Sequence, residues 1–380
     1  MRIAHIANMY GPKSGGLKTT MNELSEEYAR RGNQILLIYP GETDSHSVVG
    51  SVSRITIAGP KIPFSGGYRI ILRPKKVIEK LTEFNPDIIE ISDRTTLLKV
   101  SRWAQNKKIP STFFAHERVD GIVRSFFRYL PFQRFLVQRW NQVTRDSVDR
   151  IVATTNFAAQ EFLDLGVNHG DTPQSKLTTV PLGVNLGDFD SRLRNGGIQS
   201  EVRLPEKYIL ACTRLSKEKD PLFLLEIAAE IKARNLEATL VIAGSGPLEE
   251  KMRKVIERKA LDVTLLGFIS DRAALSQIMS GAQAFLAVGP IETFGLAALE
   301  TLASGTPVIC RAEAAISEII DGNSGRALGR SATEWVNAIV ELQNQNRQEM
   351  RDFSRSRAES FTWEKTAEQL LNLYRWDIAK

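Results

Sequence analysis

Short apolar runs of strand length alternate with amphipathic helical patterns through both halves of the chain, and this rhythm restricts the possible folds more than any other feature. In the first half the runs are RIAHIA, QILLIYP, RITIAG, DIIEIS, STFFAH and RIVATT. In the second they are KYILACTR, ATLVIAG, VTLLGF, AFLAVG and PVICR. The segment LKTTMNELSEEYARRG reads as a helix, with Leu17, Met21, Leu24 and Tyr28 near one face and Gly32 as a left-handed cap. Strand–helix alternation predicts parallel α/β sheets, and 380 residues exceed one compact core. The expectation is two Rossmann-like domains, 1–187 and 188–362, with a terminal helix at 363–380 returning to the first. The stretch from Gly183 to Gly197, rich in Gly, Asn, Asp and Arg, is the best linker. The halves look like two copies of one architecture, not one sequence repeated.

The chain carries 50 Lys and Arg against 44 Asp and Glu, net +6. That mild basic bias suits an anionic ligand or an anionic membrane surface. It is too weak for a dedicated nucleic-acid binder, and no zinc-finger, RRM or basic-zipper motif accompanies it. Cys212 and Cys310 sit inside apolar runs and read as buried thiols in a reducing compartment. The four histidines do not cluster with cysteine in any metal spacing. MRIAHIANMYGP does not read as a signal peptide, and no run reaches the roughly 18 apolar residues of a membrane span. The expected location is cytoplasmic, with any membrane contact peripheral.

Ligands of open parallel sheets bind beyond the carboxyl ends of strands, and two such domains facing each other would form a cleft. The loop YGPKSGGLKTT nearly spells a P-loop, but Leu17 stands where the lysine belongs, and Lys18-Thr19 come one residue late. Gly15 and Gly16 allow close backbone approach, and the helix behind them offers an anion site. Taken alone, this loop reads first as a plain strand-to-helix turn.

In CTRLSKEKD, Arg214 and Lys219 are two cations suited to a phosphate or diphosphate, although each taken singly is an ordinary surface charge. VIAGSGPLEE reads as a structural turn, with Gly244 and Gly246 leading into a helix near Pro247. GPIETFGLAALETLASGTPVI is the most informative stretch. Glu292 lies in the loop and a helix begins near Phe294-Gly295, with Leu296, Leu299 and Ala303 as its buried stripe. Glu300 follows Glu292 after seven intervening residues. Carboxylates accept hydrogen bonds from sugar hydroxyls, and the amides of Phe294, Gly295 and Leu296 are aimed at an anion. His116 closes STFFAH and is followed by Glu117-Arg118. A lone histidine at a strand end is commonly structural, but this one sits at the predicted cleft face. Asp188 to Asp190, DFD, matches an Asp-x-Asp metal pattern but lies in the linker, so no metal role is assigned to it.

The motifs GGLKT, AHER, VPLGVNLGDF, TRLSKEKD, IAGSGPL, GFISDR and ETFGLAALE, in this order, cover nearly the whole chain. Together they resemble the retaining GT-B glycosyltransferases of family 4. SGGLKT, IPFSGGYR, AHERVD and GPIETFGLAALE resemble the actinobacterial GDP-mannose-dependent α-mannosyltransferases that modify phosphatidylinositol mannosides or related glycolipids. The resemblance implies a GT-B fold, two Rossmann-like domains facing across a cleft, and a nucleotide-sugar donor. By position, Gly15 and Gly16 would face the donor's diphosphate, and Arg214 and Lys219 would bind it. Glu292 would hold sugar hydroxyls, Glu300 the ribose, Ile269 of GFISD the base, and His116 the sugar near the reacting carbon. Phe294, Gly295 and Leu296 complete the donor-binding set. His116, Arg214, Lys219 and Glu292 are the implied catalytic group. The resemblance implies front-face displacement, with no cofactor and no metal expected. One departure is Asp220, where family members often carry Gly after the lysine.

From Gly121 to Val143 there is no acidic residue, and Arg124, Arg128, Arg134 and Arg139 interleave with Phe126, Phe127, Phe132, Phe135 and Trp140. This is an interfacial profile. The segment RIILRPKKVIEK adds five basic residues between 69 and 80. Both suggest peripheral contact with an anionic membrane and a glycolipid acceptor. A core helix with solvated arginines is the other reading of 121–143. A soluble acceptor, a UDP-sugar donor, or a non-catalytic nucleotide-sugar-binding protein are the competing functions.

Overall fold

The structure is a computed structural model that describes residues 1–11, 15–62, 67–116, 118–120, 132–190, 192 and 204–380. The chain divides into two units, Met1–Leu182 with Trp363–Lys380, and Gly183–Thr362. The sequence put the boundary at 187/188; the contacts divide at Leu182/Gly183, where the expected linker begins.

In the first unit β1 (Arg2–Ala7) pairs in parallel with β2 (Gln34–Gly41) on one side and β5 (Ile88–Ser92) on the other. β3 (Ser45–Val49) runs antiparallel beside β4 (Val52–Ala58), at the edge beyond β2. β6 (Ser111–Ala115), β7 (Arg150–Ala153) and β8 (Leu177–Thr179) extend the other side in parallel. Among the described residues this is an eight-stranded sheet of order β3-β4-β2-β1-β5-β6-β7-β8. The order reverses between β1 and β5, which is the topological switch point.

Side chains alternate across each strand. Ala4 and Ile6 of β1, Ile89 and Ile91 of β5, and Phe113 and Ala115 of β6 face one core. That core is closed by α2 (Pro74–Phe84), α3 (Leu98–Asn106) and α5 (Asn156–Leu163). His5, Glu90 and Ser92 point the other way, where α1 (Gly16–Arg30) and the C-terminal helix (Trp363–Ala379) bring Tyr28 and Tyr374 onto Glu90. α1 buries Met21, Leu24 and Tyr28 as predicted, leaves Leu17 half-buried in its first turn, and ends before Gly32 at φ +76. α4 (Gln133–Ser147) lies between β6 and β7 in sequence. Arg150 forks onto Asp377 at 2.6 and 2.7 Å, tying the C-terminal helix to β7.

The second unit holds a wholly parallel sheet, order β11-β10-β9-β12-β13-β14, among its described residues. Its strands are β9 (Tyr208–Cys212), β10 (Thr239–Ala243), β11 (Val263–Gly267), β12 (Phe285–Ala287), β13 (Val308–Arg311) and β14 (Gly325–Leu328). Among its described residues the α-helices are α6 (Leu222–Ala233), α7 (Glu249–Lys259), α8 (Arg272–Gly281), α9 (Leu296–Ala303), α10 (Ile316–Ile319), α11 (Ala332–Asn344) and α12 (Arg347–Ala358). Ile209, Ala211, Leu240, Ile242 and Leu286 pack against Phe223 of α6 and Trp335 of α11, whose rings meet edge-on at 5.4 Å. Both cysteines are free; Cys310 is buried, whereas Cys212, expected to be buried, is only half-buried because it ends β9.

Candidate active site

β9 and β12 are neighbours at the switch point of the second sheet, so the loops that follow them emerge side by side. That is why Lys219 and Glu292, 73 residues apart, meet: Lys219 Nζ donates to Glu292 Oε2 at 2.5 Å. Both side chains are half-buried. Arg214, on the same loop as Lys219, is exposed.

The loop is braced from behind. Leu215 donates its amide to the Ser245 carbonyl at 3.1 Å, and Leu248 donates to the Leu215 carbonyl at 2.9 Å. A Cβ on Gly244 would lie 1.9 Å from the Thr213 oxygen, and one on Gly246 2.5 Å from the Leu215 oxygen. The two glycines read as a structural turn are therefore what lets two backbones press together under Arg214. Asp220, the departure from the family pattern, holds the left-handed conformation at φ +47. Its carboxylate accepts from Arg330 Nε at 3.0 Å and lies 3.5 Å from Arg311 Nη1, while Arg330 also grips Glu226. The turn that a glycine would form freely is kept, and a side chain that glycine lacks anchors it next to Lys219.

On the other loop, Gly295 sits at φ +95, and a Cβ there would lie 2.4 Å from Ile316 Cγ1. It leads into α9, and having no side chain it leaves the leading amides of that helix uncapped by itself. Phe294 is buried against Phe361, so only its main chain is available to a ligand. Leu299 and Ala303 are buried as expected, but Leu296 is half-buried, because the first turn stands at the loop end. Glu300 is buried and accepts from Arg272 Nη2 at 3.2 Å. The protein around the half-buried Cys212 desolvates its thiol and the nearby Glu300 raises it further, to about 12.

Arg272 was not singled out from the sequence. It lies 3.8 Å from Asp188 and stacks over the Phe189 ring at 4.9 Å. Its one local signal is the preceding Asp271, which caps α8 by accepting from the Ala273 and Ala274 amides. Asp190 is gripped by Arg192, which holds its carboxyl down to about 2. Each carboxylate of DFD thus has an arginine close by. Ile269 is half-buried just beyond β11, beside the exposed Phe268.

In the first unit Gly15 precedes α1, and a Cβ there would meet nothing within 4 Å; residues 12–14 of this loop lie outside the described residues. Gly16 opens the helix and its carbonyl accepts from Thr20. His116 follows β6; Glu117 lies outside the described residues. The His116 ring stacks on Phe114, and its Nε2 shares a hydrogen bond with Ser92 Oγ at 2.9 Å. Its edge is partly open, yet desolvation by the surrounding protein, with the charges of His5 and Arg94, lowers its pKa to about 3. The ring is therefore neutral at physiological pH.

α4 buries Val137, Asn141 and Thr144 and turns Phe132, Phe135, Leu136, Trp140 and Val143 outward. Phe132 is 81% exposed and Phe135 65%, which does not fit the core-helix reading for this part. Residues 121–131, with Arg124, Arg128, Phe126 and Phe127, lie outside the described residues. The basic run at 69–80 is partly offset by acids: Arg69 meets Glu42, Lys76 meets Asp44, and Lys80 meets Glu83. No helix among the described residues is long and apolar enough to cross a membrane.

Residues 14–188 match the family described as Glycosyltransferase Family 4, and residues 206–345 match Glycosyl transferases group 1. The chain is 37% identical, over 98% of its length and 95% of the relative's, to a GDP-mannose-dependent alpha-(1-6)-phosphatidylinositol dimannoside mannosyltransferase of Mycobacterium tuberculosis. It is 23% identical, over 98% of its own length and 88% of the relative's, to a GDP-mannose-dependent alpha-mannosyltransferase of Corynebacterium glutamicum. Among solved structures, sucrose-phosphate synthase of Thermosynechococcus elongatus superposes with a TM-score of 0.77 at 20% identity, covering 98% of each chain. The fold is therefore that of the GT-B transferases, and with two family matches and an end-to-end relative above 30% identity, the chain belongs to glycosyltransferase family 4.

Proposed function

We propose that this protein transfers mannose from GDP-mannose, with retention of configuration, onto a phosphatidylinositol mannoside or related glycolipid. The observation that carries the reading is the end-to-end likeness to the M. tuberculosis mannosyltransferase. The Lys219–Glu292 pair at the mouth of the second sheet agrees with it. Glu292 accepts hydrogen bonds from sugar hydroxyls, and the ammonium beside it faces the diphosphate together with Arg214. Glu300, set by Arg272, takes the ribose, and Ile269 lies against the base. The main-chain amides of Phe294, Gly295 and Leu296 add the positive end of α9. In the first unit, Gly15 and Gly16 are assigned to the diphosphate and His116 to the sugar.

The acceptor hydroxyl attacks the anomeric carbon as the bond to the β-phosphate oxygen breaks. GDP leaves with that electron pair, and the hydroxyl proton passes to a phosphate oxygen on the same face. The negative charge growing on the phosphate is stabilised by Arg214, Lys219 and the amides, which are in place before the reaction. His116, being neutral, contributes a hydrogen bond and not a charge. In this scheme cations of the chain do the work for which other transferases use a metal, so activity should persist in EDTA.

The outward face of α4 is assigned to an anionic membrane. Its apolar residues recur every three or four positions, and exposed Arg134 and Arg139 stand beside them. The protein is then peripheral at the surface that supplies its lipid acceptor. Thermal-shift titration tests the donor. A nucleotide sugar at 100 times its dissociation constant adds about 2.7 kcal/mol of stability. Stabilisation by GDP-mannose well above UDP- and ADP-sugars is expected, and a response to UDP-sugars alone overturns the donor assignment.

A further inference from the structure

The back of β1 and β5 in the first unit carries polar groups where an apolar strand would be expected. His5 and Glu90 are register partners on adjacent parallel strands, and each is 1% exposed. His5 Nδ1 lies 2.8 Å from Glu90 Oε2, a separation that meets the distance of a hydrogen bond but not its direction, so the contact is electrostatic. The other Glu90 oxygen accepts from Tyr28 at 2.8 Å and Tyr374 at 2.5 Å. His5 Nε2 is 2.8 Å from Ser92 Oγ, and the same oxygen is 2.9 Å from His116 Nε2. Phe114 stacks against both imidazoles, with centroids 5.6 Å away in each case, and so holds both rings in plane.

We propose that Ser92, oriented by the His5–Glu90 pair, is a positioning residue that fixes which nitrogen of His116 carries its proton. The argument is a count of hydrogens. A serine hydroxyl has one proton and two acceptor sites. It cannot donate to both histidines, so at least one imidazole must donate its Nε2–H to Ser92. The Glu90 carboxylate, 2.8 Å from His5 Nδ1, electrostatically favours the His5 proton on that nitrogen. The state of His5 Nε2 then dictates the direction of the Ser92 hydroxyl, which dictates the state of His116 Nε2. A neutral imidazole has one N–H and one lone pair, so fixing Nε2 fixes Nδ1 as well. The chain runs from a tyrosine of the C-terminal helix to the end of β6. It would give His116 one tautomer and one ring orientation before substrate arrives.

The inference rests on the reading of His116 as a sugar-contacting group, and the test separates the two. The full-length protein is labelled with ¹⁵N-histidine, and ring nitrogens are recorded for wild type, Ser92→Ala and Ser92→Thr, with His116→Gln to assign the signal among the four histidines. Initial rates are measured on the same proteins with GDP-mannose and a phosphatidylinositol mannoside. In the wild type, His116 should show one protonated and one unprotonated nitrogen. Ser92→Ala should merge them towards an exchange average and lower kcat about tenfold, the size of one hydrogen bond, with donor KM little changed. Ser92→Thr, which keeps the hydroxyl, should restore both. A single unchanged tautomer in Ser92→Ala overturns the relay, and this readout needs no substrate. Unchanged kcat in Ser92→Ala while His116→Gln loses activity overturns the catalytic use of the relay but leaves His116 in place. Full activity in His116→Gln overturns the reading of His116 itself.

Discussion

Lys219 and Glu292 hold each other at 2.5 Å, so the cation assigned to the leaving phosphate is already placed. Removing the ammonium should cost about 3 kcal/mol of barrier, a loss of about 10²-fold in kcat for Lys219→Ala at saturating donor. Because the pair is half-exposed, the fold should survive, with an unchanged thermal transition within a degree or two. Near-wild-type turnover would remove Lys219 from the chemistry. His116 makes a different prediction. Its pKa is about 3 folded against an ordinary 6.5, so the unfolded chain takes up a proton that the folded chain refuses. The stability from this group is fully present above pH 6.5 and is lost as pH falls towards 3. Desolvation by the surrounding protein sets it first, and His5, behind Ser92, and Arg94 add to it. His116→Gln should therefore lose less melting temperature than wild type between pH 7 and pH 5; parallel profiles would contradict the assignment. At this scale the sequence was legible where local chemistry is unusual. Glu292 and Glu300 stand out in an apolar run, but Arg272 could not be read, because its value lies in reaching Glu300 across 28 positions. His5 and Glu90, polar residues inside apolar strands, carried a signal that was not used.

Most elements of the fold follow from the alternation of strand and helix patterns, and the ones missed share a physical cause. β3 is exposed along its whole length, so SHSVV shows no buried face to mark a strand. β8 (LTT) and β14 (GRAL) each carry a single large apolar residue, so no apolar run marks them, whereas the equally short β12 and β13 lie inside such runs. α4 was visible as a basic-aromatic segment, yet which side it buries depends on packing against its neighbours. With Phe132, Phe135 and Trp140 outward, its arginines should act through the surface potential of a membrane. Arg134→Gln with Arg139→Gln should weaken binding to phosphatidylinositol-containing vesicles by about 2 kcal/mol, at about 1 kcal/mol per charge. Wild-type sedimentation with those vesicles should decline as salt rises towards 1 M, where the Debye length is about 3 Å. Unchanged binding would assign the face to something other than an anionic surface.

At the scale of the whole molecule, the C-terminal helix is part of the first unit although the entire second unit precedes it in sequence. Arg150 and Asp377 are both almost wholly buried, so Asp377→Ala would strand a buried guanidinium. A cost of about 3 kcal/mol is expected. In a unit of this size that lowers its thermal transition by about 6–12 °C, readable by calorimetry. Little change there would mean the helix is held by its apolar face alone. Mannosyl transfer by the full chain is the most direct test. GDP-mannose and a phosphatidylinositol mannoside are incubated with the full chain in EDTA, and the anomeric configuration of the product is read by NMR. The account predicts an α-linked mannosyl product, formed without added metal and about 10²-fold more slowly with Lys219→Ala. A β-linked product, a requirement for manganese or magnesium, or transfer from UDP-sugars and not from GDP-mannose would contradict it.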